Sequence, residues 1–85
     1  MTIPELRNEI DRLDGLIIPA LEERQRLVAR IQDLKEEQGL DARDENREQQ
    51  IMDKIDELTD AHKNECRSVY ATLFQNAGGG QETSD

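Results

Sequence analysis

The sequence of 85 residues is poor in aromatic residues, with one tyrosine, one phenylalanine and no tryptophan. Hydrophobic residues of all kinds make up 34% of the chain, against 36% for charged residues. Because a small chain buries little of its surface, this composition gives a lone monomer a thin core. We therefore expect either extensive disorder or a core that several chains share by assembling.

Basic residues, long apolar runs and cysteines are also scarce. The chain has 11 basic and 20 acidic residues, which gives a net charge of −9. This charge argues against a nucleic-acid-binding protein, which would present a basic surface to the phosphates. No run of about 18 or more apolar residues is present, which argues against a membrane span. The N-terminus lacks the basic and apolar segments of a signal peptide. The single cysteine, Cys66, cannot form an internal disulfide and suits a reducing cytoplasm.

The sequence is rich in helical periodicity. From Pro4 to about Gln38, apolar residues recur at steps of three and four, which is typical of one face of a helix. A helix of this length is about 50 Å long at ~1.5 Å per residue. Its apolar stripe must pack against a partner chain or against later helices of its own chain. Pro19 removes a backbone hydrogen bond to Gly15, but the stripe keeps its phase there, which favours a kinked helix over a break into two.

Two shorter helices are predicted to follow. Gly39 is a plausible helix stop, and Asp44 is well placed as the N-cap of a second helix that runs to roughly His62. A third helix starts near residue 64 or 65 and carries four apolar or aromatic residues: Val69, Tyr70, Leu73 and Phe74. Residues 77–85 contain three consecutive glycines and predict a flexible tail. The fold class is therefore all-α, with one helical domain over residues 1–76.

Most sequence signatures of catalysis are missing. There is no glycine-rich loop after a strand, no nucleophile elbow and no cluster of metal ligands. His62 and Cys66 are four residues apart, but a structural zinc site needs four ligands. We interpret His62 as a surface histidine near a helix C-terminus, where a partial positive charge is favourable.

The informative anomaly is a set of cations in line with the apolar stripes. Arg24 and Lys35, about three turns apart, fall within ~20° of each other on one face of the first helix. Arg47 lies on the inner side of the second helix. A single cationic side chain at such a position can pack its apolar stem against the bundle and keep its charged end in solvent. Three desolvated cations need a counterion, either a protein carboxylate such as Asp44 or Glu48, or an anionic ligand inside a helix bundle.

Short motifs carry a resemblance to a known family. They are LRNEIDRLD at 6–14, LEERQRLVARI at 21–31, Lys35, DENRE at 44–48 and LFQ at 73–75. In this order and spacing they are similar to L-R-x-x-I-D-x-x-D, L-x-x-R-x-x-L-a-x-x-I, a lysine, D-x-x-R-E and L-F-x of the all-helical chorismate mutase family (type II, the AroQ class). The resemblance covers about residues 3–76.

The resemblance implies a fold and a substrate. The fold is an intertwined homodimer of three-helix chains, which would explain the overlong first helix and the thin core. The substrate is chorismate, a dicarboxylate bound among the helices, with one carboxylate held by Arg24 and the other by Arg7 of the partner chain. Lys35 would hydrogen-bond the ether oxygen whose bond breaks.

The resemblance also implies roles for the second helix. Asp44 and Glu48 would lie near the ring hydroxyl of the substrate, and Arg47 would help to hold the polar network. The Claisen rearrangement to prephenate is unimolecular and pericyclic, so we expect no nucleophile, metal or cofactor. The rate would come from holding the substrate in a compact chair and from cations placed at the ether oxygen.

One departure from the family pattern leaves alternatives open. Family members continue the third helix well past L-F-x to a glutamine or glutamate that donates to the ether oxygen. Here the corresponding position after Phe74 is Asp85, beyond the glycines, and Gln81 is the one glutamine after the LFQ motif. The chain could therefore be a chorismate mutase, a 4-amino-4-deoxychorismate mutase, an isochorismate pyruvate lyase, a weak or inactive mutase that needs a shikimate-pathway partner enzyme, or a helical dimerisation module without a ligand.

Overall fold

The computed structural model describes residues 1–41 and 43–78. These residues contain no strand and three α-helices, α1 (Ile3–Gln38), α2 (Glu45–Leu58) and α3 (Lys63–Gly78), so the prediction of an all-α chain is confirmed. The predicted tail lies outside the described residues from 79 onward, as does Gln81. The helices of the described part lack an apolar stretch of the length that a membrane crossing requires.

Two units can be distinguished in the chain. One is Met1–Ile31, which α1 occupies for most of its length. The other begins at Gln32 and comprises the last turns of α1, the connection to α2, and the helices α2 and α3. The single domain over residues 1–76 and the intertwined dimer both stay predictions.

A reciprocal pair of hydrogen bonds starts α1. The Glu5 amide donates to Oγ1 of Thr2 at 3.3 Å, and the Thr2 amide donates to Oε1 of Glu5 at 2.8 Å. This capping box satisfies amide groups that have no partner within the helix. The hydrogen bonds from Thr2 lower the pKa of the Glu5 carboxyl below its ordinary value.

The first helix continues through Pro19, so the alternative of a break into two helices is wrong. No side chain of α1 is buried. The residues of its predicted apolar stripe stand about half exposed; among them are Leu6, Ile10, Leu13, Ile17 and Ile31. The face that the sequence marks for packing is therefore uncovered in a single chain.

The C-terminus of α1 is closed by its own backbone. Gly39 has a φ of 69°, in the left-handed region that glycine enters without steric cost. Its amide donates to the Glu36 carbonyl at 3.2 Å, and the Leu40 amide donates to the Lys35 carbonyl at 2.8 Å. This pairing is a Schellman motif, and the prediction of Gly39 as the helix stop is confirmed.

The second helix begins as predicted and ends earlier. Asp44 is its N-cap, with the carboxylate accepting a hydrogen bond from the Arg47 amide. The helix stops at Leu58, where the Thr59 amide closes the last turn on the Ile55 carbonyl, so the prediction that it reaches His62 is wrong. The third helix starts at Lys63, slightly before the predicted position.

The helices α2 and α3 pack against each other around two buried side chains. Ile55 and Phe74 are each 7% exposed, and the ring of Phe74 lies 6.2 Å from that of Tyr70 at an interplanar angle of 60°. A guanidinium nitrogen of Arg67 in α3 donates to both carboxylate oxygens of Asp56 in α2, each at 2.6 Å. The hydrogen bond from Arg67 lowers the pKa of the Asp56 carboxyl below its ordinary value of 3.8.

Candidate functional site

A concavity of about 770 Å³ lies where α1 ends and α2 begins. It is lined by Lys35, Leu40, Asp41, Arg43, Asp44, Glu45 and Asn46. Its volume is within the range of sites that bind small molecules. The structure thus brings Lys35 and Asp44, both predicted as site residues, to one cavity, which we call the Lys35 cavity.

Lys35 reaches the cavity from the last turn of α1. Its side chain is half-buried, and its carbonyl accepts the Schellman hydrogen bond from Leu40. The helix stop therefore fixes the backbone of the lysine at the cavity edge. A cation in the last turn of a helix is also favoured by the partial negative charge of the helix end.

Asp44 lines the same cavity as the N-cap of α2. Its Oδ1 accepts a hydrogen bond from the Arg47 amide at 3.1 Å, which orients the carboxylate toward the first turn of the helix. The same residue therefore starts α2 and lines the cavity. The aspartate is exposed, so its charge remains accessible to solvent or to a ligand.

Arg43 is a residue that the sequence reasoning missed. Its Nε donates to Oε2 of Glu48 at 2.9 Å, and its Nη2 donates to Oε1 at 2.9 Å, a two-point grip on the carboxylate. The side chain of Glu48 is 19% exposed and that of Arg43 is 55% exposed. These hydrogen bonds raise the pKa of the Arg43 guanidinium above its ordinary value.

Glu48 does not line the Lys35 cavity but a second concavity of about 400 Å³. That concavity lies between α2 and α3 and is lined by Arg43, Glu45, Glu48, Gln49, Met52, Ala71, Phe74 and Gln75. Arg43 lines both spaces. From the sequence, Glu48 is expected to be a counterion for the inward cations. In the structure its partner is Arg43, which precedes α2.

The remaining predicted site residues differ in burial. Arg24 is half-buried in α1, and its Nη1 donates to Oε1 of the neighbouring Gln25 at 3.4 Å. Arg7 is exposed near the start of α1. Arg47 is exposed as well in a single chain, and its Nη1 reaches Oε1 of Gln50 at 3.5 Å, so its inward position in an assembled bundle stays a prediction.

The residues that line the Lys35 cavity carry a net negative formal charge, which disfavours the binding of an anion. Lys35 and Arg43 supply two cations against three carboxylates, those of Asp41, Asp44 and Glu45. A dianion that binds there needs further cations, because this lining carries a net negative charge. The lining of one chain therefore lacks the excess of cations that a dianion requires.

His62 has the surface position that the sequence indicates, although at the other end of a helix. It precedes α3, where its carbonyl accepts from the Cys66 amide, and its Nδ1 lies 3.4 Å from Oε2 of Glu65. Glu65 has a lowered pKa, first because of a hydrogen bond from its own backbone and then because of His62. The thiol of Cys66 is free and half-buried.

Comparison with known proteins relates most of the chain to one family. Residues 6–77 match the family model described as chorismate mutase type II. Over 73 residues the chain is 30% identical to a chorismate mutase of Methanocaldococcus jannaschii, with 86% of this chain and 73% of the relative covered. No solved structure gives a significant match. All of the short motifs, from LRNEIDRLD to LFQ, lie within the matched residues.

Proposed function

Because this chain belongs to the chorismate mutase type II family and is therefore an isomerase, we propose that it converts chorismate to prephenate in a homodimer, a step toward aromatic amino acids. The observation that carries the proposal is the position of Lys35 and Asp44 around one cavity. The family motifs contain both residues. The one cysteine, Cys66, is a free thiol, in keeping with a cytoplasmic enzyme.

In the proposed mechanism, three cations bind the substrate and stabilise its transition state. Lys35 places a point charge at the ether oxygen, where negative charge develops as the bond breaks. Arg24 holds one substrate carboxylate, and Arg7 of the second copy holds the other, since a guanidinium grips a carboxylate at two points. Held in this way, the substrate keeps the compact chair in which its two reacting carbons meet.

The start of α2 supplies the contacts to the ring substituent. Asp44 and Glu48 lie near the ring hydroxyl, which donates its one proton to one of these carboxylates, and Arg47 holds the polar network around them. The fixed position of Asp44 as an N-cap supports this assignment, because a carboxylate on a rigid helix end needs no rearrangement when the substrate binds.

Support for the homodimer comes from α1 and from the charge of the cavity. The first helix exposes a long apolar face, and extended apolar surfaces on a small protein mark interfaces. The Lys35 cavity of one chain lacks the cations that a dianion requires. A second copy of the chain meets both needs, because it covers the face and contributes an arginine.

The test is the loss of chorismate absorbance on incubation with the purified protein, with prephenate identified as the product. We expect Lys35→Ala and Arg24→Ala each to reduce kcat/KM by about 10²-fold or more, because each removes a charge used in the transition state. Arg26→Ala is the matched control, since Arg26 pairs with Glu22 on the exposed face of α1. Turnover at the wild-type rate in the Lys35 or Arg24 variant would refute the site assignment.

A second candidate is a mutase that is weak alone and is completed by another enzyme of the shikimate pathway. It is favoured by the residue at the position where the family has a glutamine or glutamate donor. Counted from Phe74 by the family spacing, that residue is Asp85 here. The loss of one such donor lowers a rate by about 10²-fold or more. Tight binding of a bicyclic dicarboxylate transition-state analogue, with slow turnover of chorismate, would identify this case. The amino- and iso-chorismate alternatives are tested by supplying those compounds in the same assay.

A further inference from the structure

The ion pair of Arg43 and Glu48 lies at the start of α2, where the proposed function puts the ring substituent of the substrate. Both carboxylate oxygens of Glu48 accept hydrogen bonds of 2.9 Å from one guanidinium. The carboxylate is largely shielded from water, whereas the arginine is more than half exposed. Glu48 is therefore a carboxylate whose charge is already compensated by a protein cation before any ligand arrives.

The pair fixes the kind of group that Glu48 can accept. Each carboxylate oxygen has a second lone pair, so each can still accept one hydrogen bond from a ligand. A neutral hydroxyl can donate to such an oxygen without opposing the nearby guanidinium. An ammonium group brings a full positive charge close to Arg43, and part of the attraction to Glu48 is lost to this repulsion.

Resting on the proposed function, in which Glu48 lies near the ring substituent, we propose that Arg43 is a positioning residue that makes the site prefer a neutral hydroxyl over a cationic amine. Arg43 acts through the orientation and charge of Glu48, without itself touching the reacting atoms. The inference separates two alternatives that the family motifs leave open, chorismate and 4-amino-4-deoxychorismate. Those motifs contain Glu48 but not Arg43, which is why they do not resolve the choice.

The experiment measures kcat/KM for chorismate and for 4-amino-4-deoxychorismate with the full-length protein and its variants. In Arg43→Ala we expect the preference for chorismate, taken as the ratio of the two values, to fall on the order of tenfold, the size of one partly screened charge interaction. In Arg43→Lys the two-point hydrogen bonding of the guanidinium to Glu48 is lost but the positive charge remains. Most of the preference for chorismate is therefore retained. In a Glu48→Gln background, Arg43→Ala changes the ratio little, because the carboxylate through which it acts is gone.

Arg26→Ala is the matched control. It removes one arginine from an exposed ion pair with Glu22 and changes the net charge by the same amount, and it should keep the wild-type preference. Thermal unfolding and size-exclusion chromatography establish that each variant is folded and assembled. If Arg43→Ala fails to fold, Arg43→Gln removes the charge while keeping hydrogen-bond donors at that position.

The outcomes separate this inference from the proposed function. If the wild-type enzyme makes prephenate and Arg43→Ala keeps the wild-type preference for chorismate, the role of Arg43 is overturned and the proposed function stands. A wild-type protein that turns over neither compound overturns the function, and the same preference is then read from the two dissociation constants by calorimetry. If neither compound binds, the inference is overturned as well.

Discussion

The first helix and the α2–α3 pair use their apolar residues in different ways. No side chain of α1 is buried, although the helix is 36 residues long. The pair, with 14 and 16 residues, encloses Ile55 and Phe74 and adds the Asp56–Arg67 ion pair across its interface. One region thus satisfies part of its packing within a single chain, and the other presents a face that only another surface can cover.

This difference bears on how the protein is stabilised. The two buried side chains among the residues whose burial the structure describes are far too few to offset the conformational entropy that three ordered helices lose. Most of the apolar surface that could supply the remainder lies on α1. The contrast therefore predicts that folding and assembly are one process, as is common for small intertwined dimers.

The largest expected effect tests the exposed face of α1. Ile17 is 50% exposed in one chain and lies on the predicted stripe. If that face is covered by a second copy, Ile17→Asp buries an unpaired charge in each copy, at roughly 3–5 kcal/mol per copy. We expect the dimer to be lost, as measured by light scattering after size-exclusion chromatography.

The neighbouring Ile18 is the control for that prediction. It is 65% exposed and lies about 100° further round the helix. Ile18→Asp should leave the assembly unchanged. Equal behaviour of the two variants, whether both assemble or both dissociate, would remove the distinction between the stripe and the rest of α1.

The next effect concerns the core of the α2–α3 pair. Phe74→Ala removes one of its two buried side chains, and such truncations cost about 3–5 kcal/mol. Val69→Ala is the control in the same helix, because Val69 is exposed in one chain. Urea unfolding of both variants gives the comparison, and an equal loss of stability would mean that Val69 is covered in the assembled protein.

A smaller effect is expected from two glycines with opposite roles, one within α1 and one immediately after it. Gly39→Ala forces a residue with a side chain into the left-handed region and should destabilise the protein by about 1–2 kcal/mol. Gly15→Ala should stabilise it by about 0.5–1 kcal/mol, because the site is helical and a Cβ there meets open space. Thermal unfolding of the pair measures both signs, and a loss of stability in Gly15→Ala would indicate that a partner packs closely against that position.

The smallest effect is a dependence of the α2–α3 pair on pH. The hydrogen bond from Arg67 lowers the pKa of Asp56, so the folded state binds this proton less readily than the unfolded state. The stabilisation is present above the ordinary pKa of 3.8 and is lost as the pH falls through the lower folded value. Asp56→Asn should therefore be less stable than the wild type at neutral pH and similar to it in strong acid.

Thermal unfolding at both pH values measures the Asp56 effect. Asp60→Asn, in the connection between α2 and α3, is the control for the removal of an acidic charge. A difference between Asp56→Asn and the wild type that persists unchanged into strong acid would contradict the ion-pair explanation.

The features that the sequence predicted correctly are local ones. The glycine stop of α1 and the aspartate cap of α2 depend on residues within one helical turn, and both occur where the pattern indicates. The capping box of Thr2 and Glu5 follows the same logic and could have been predicted from its T-x-x-E spacing. The end of α2 was predicted too late, although the last residue of its apolar stripe, Leu58, is also the last residue of the helix.

The features that the sequence did not predict depend on contacts outside one helical repeat. Arg43 and Glu48 are five residues apart, and the pair joins a residue that precedes α2 to one within it, which is not a helical spacing. Arg67 meets Asp56 across two helices, a pairing that no periodicity indicates. Arg47, expected on the inner side of α2, is exposed in a single chain, and its inward position in an assembled bundle stays a prediction.

The two helix ends beside the Lys35 cavity have a consequence for engineering. The first helix is closed by backbone hydrogen bonds at Gly39 and Leu40, and the second is started by the side chain of Asp44. The hydrogen bonds of neither end involve Asp41, an exposed residue that lines the cavity. Substitutions at Asp41 can therefore vary a wall of the cavity, while Lys35 keeps its position.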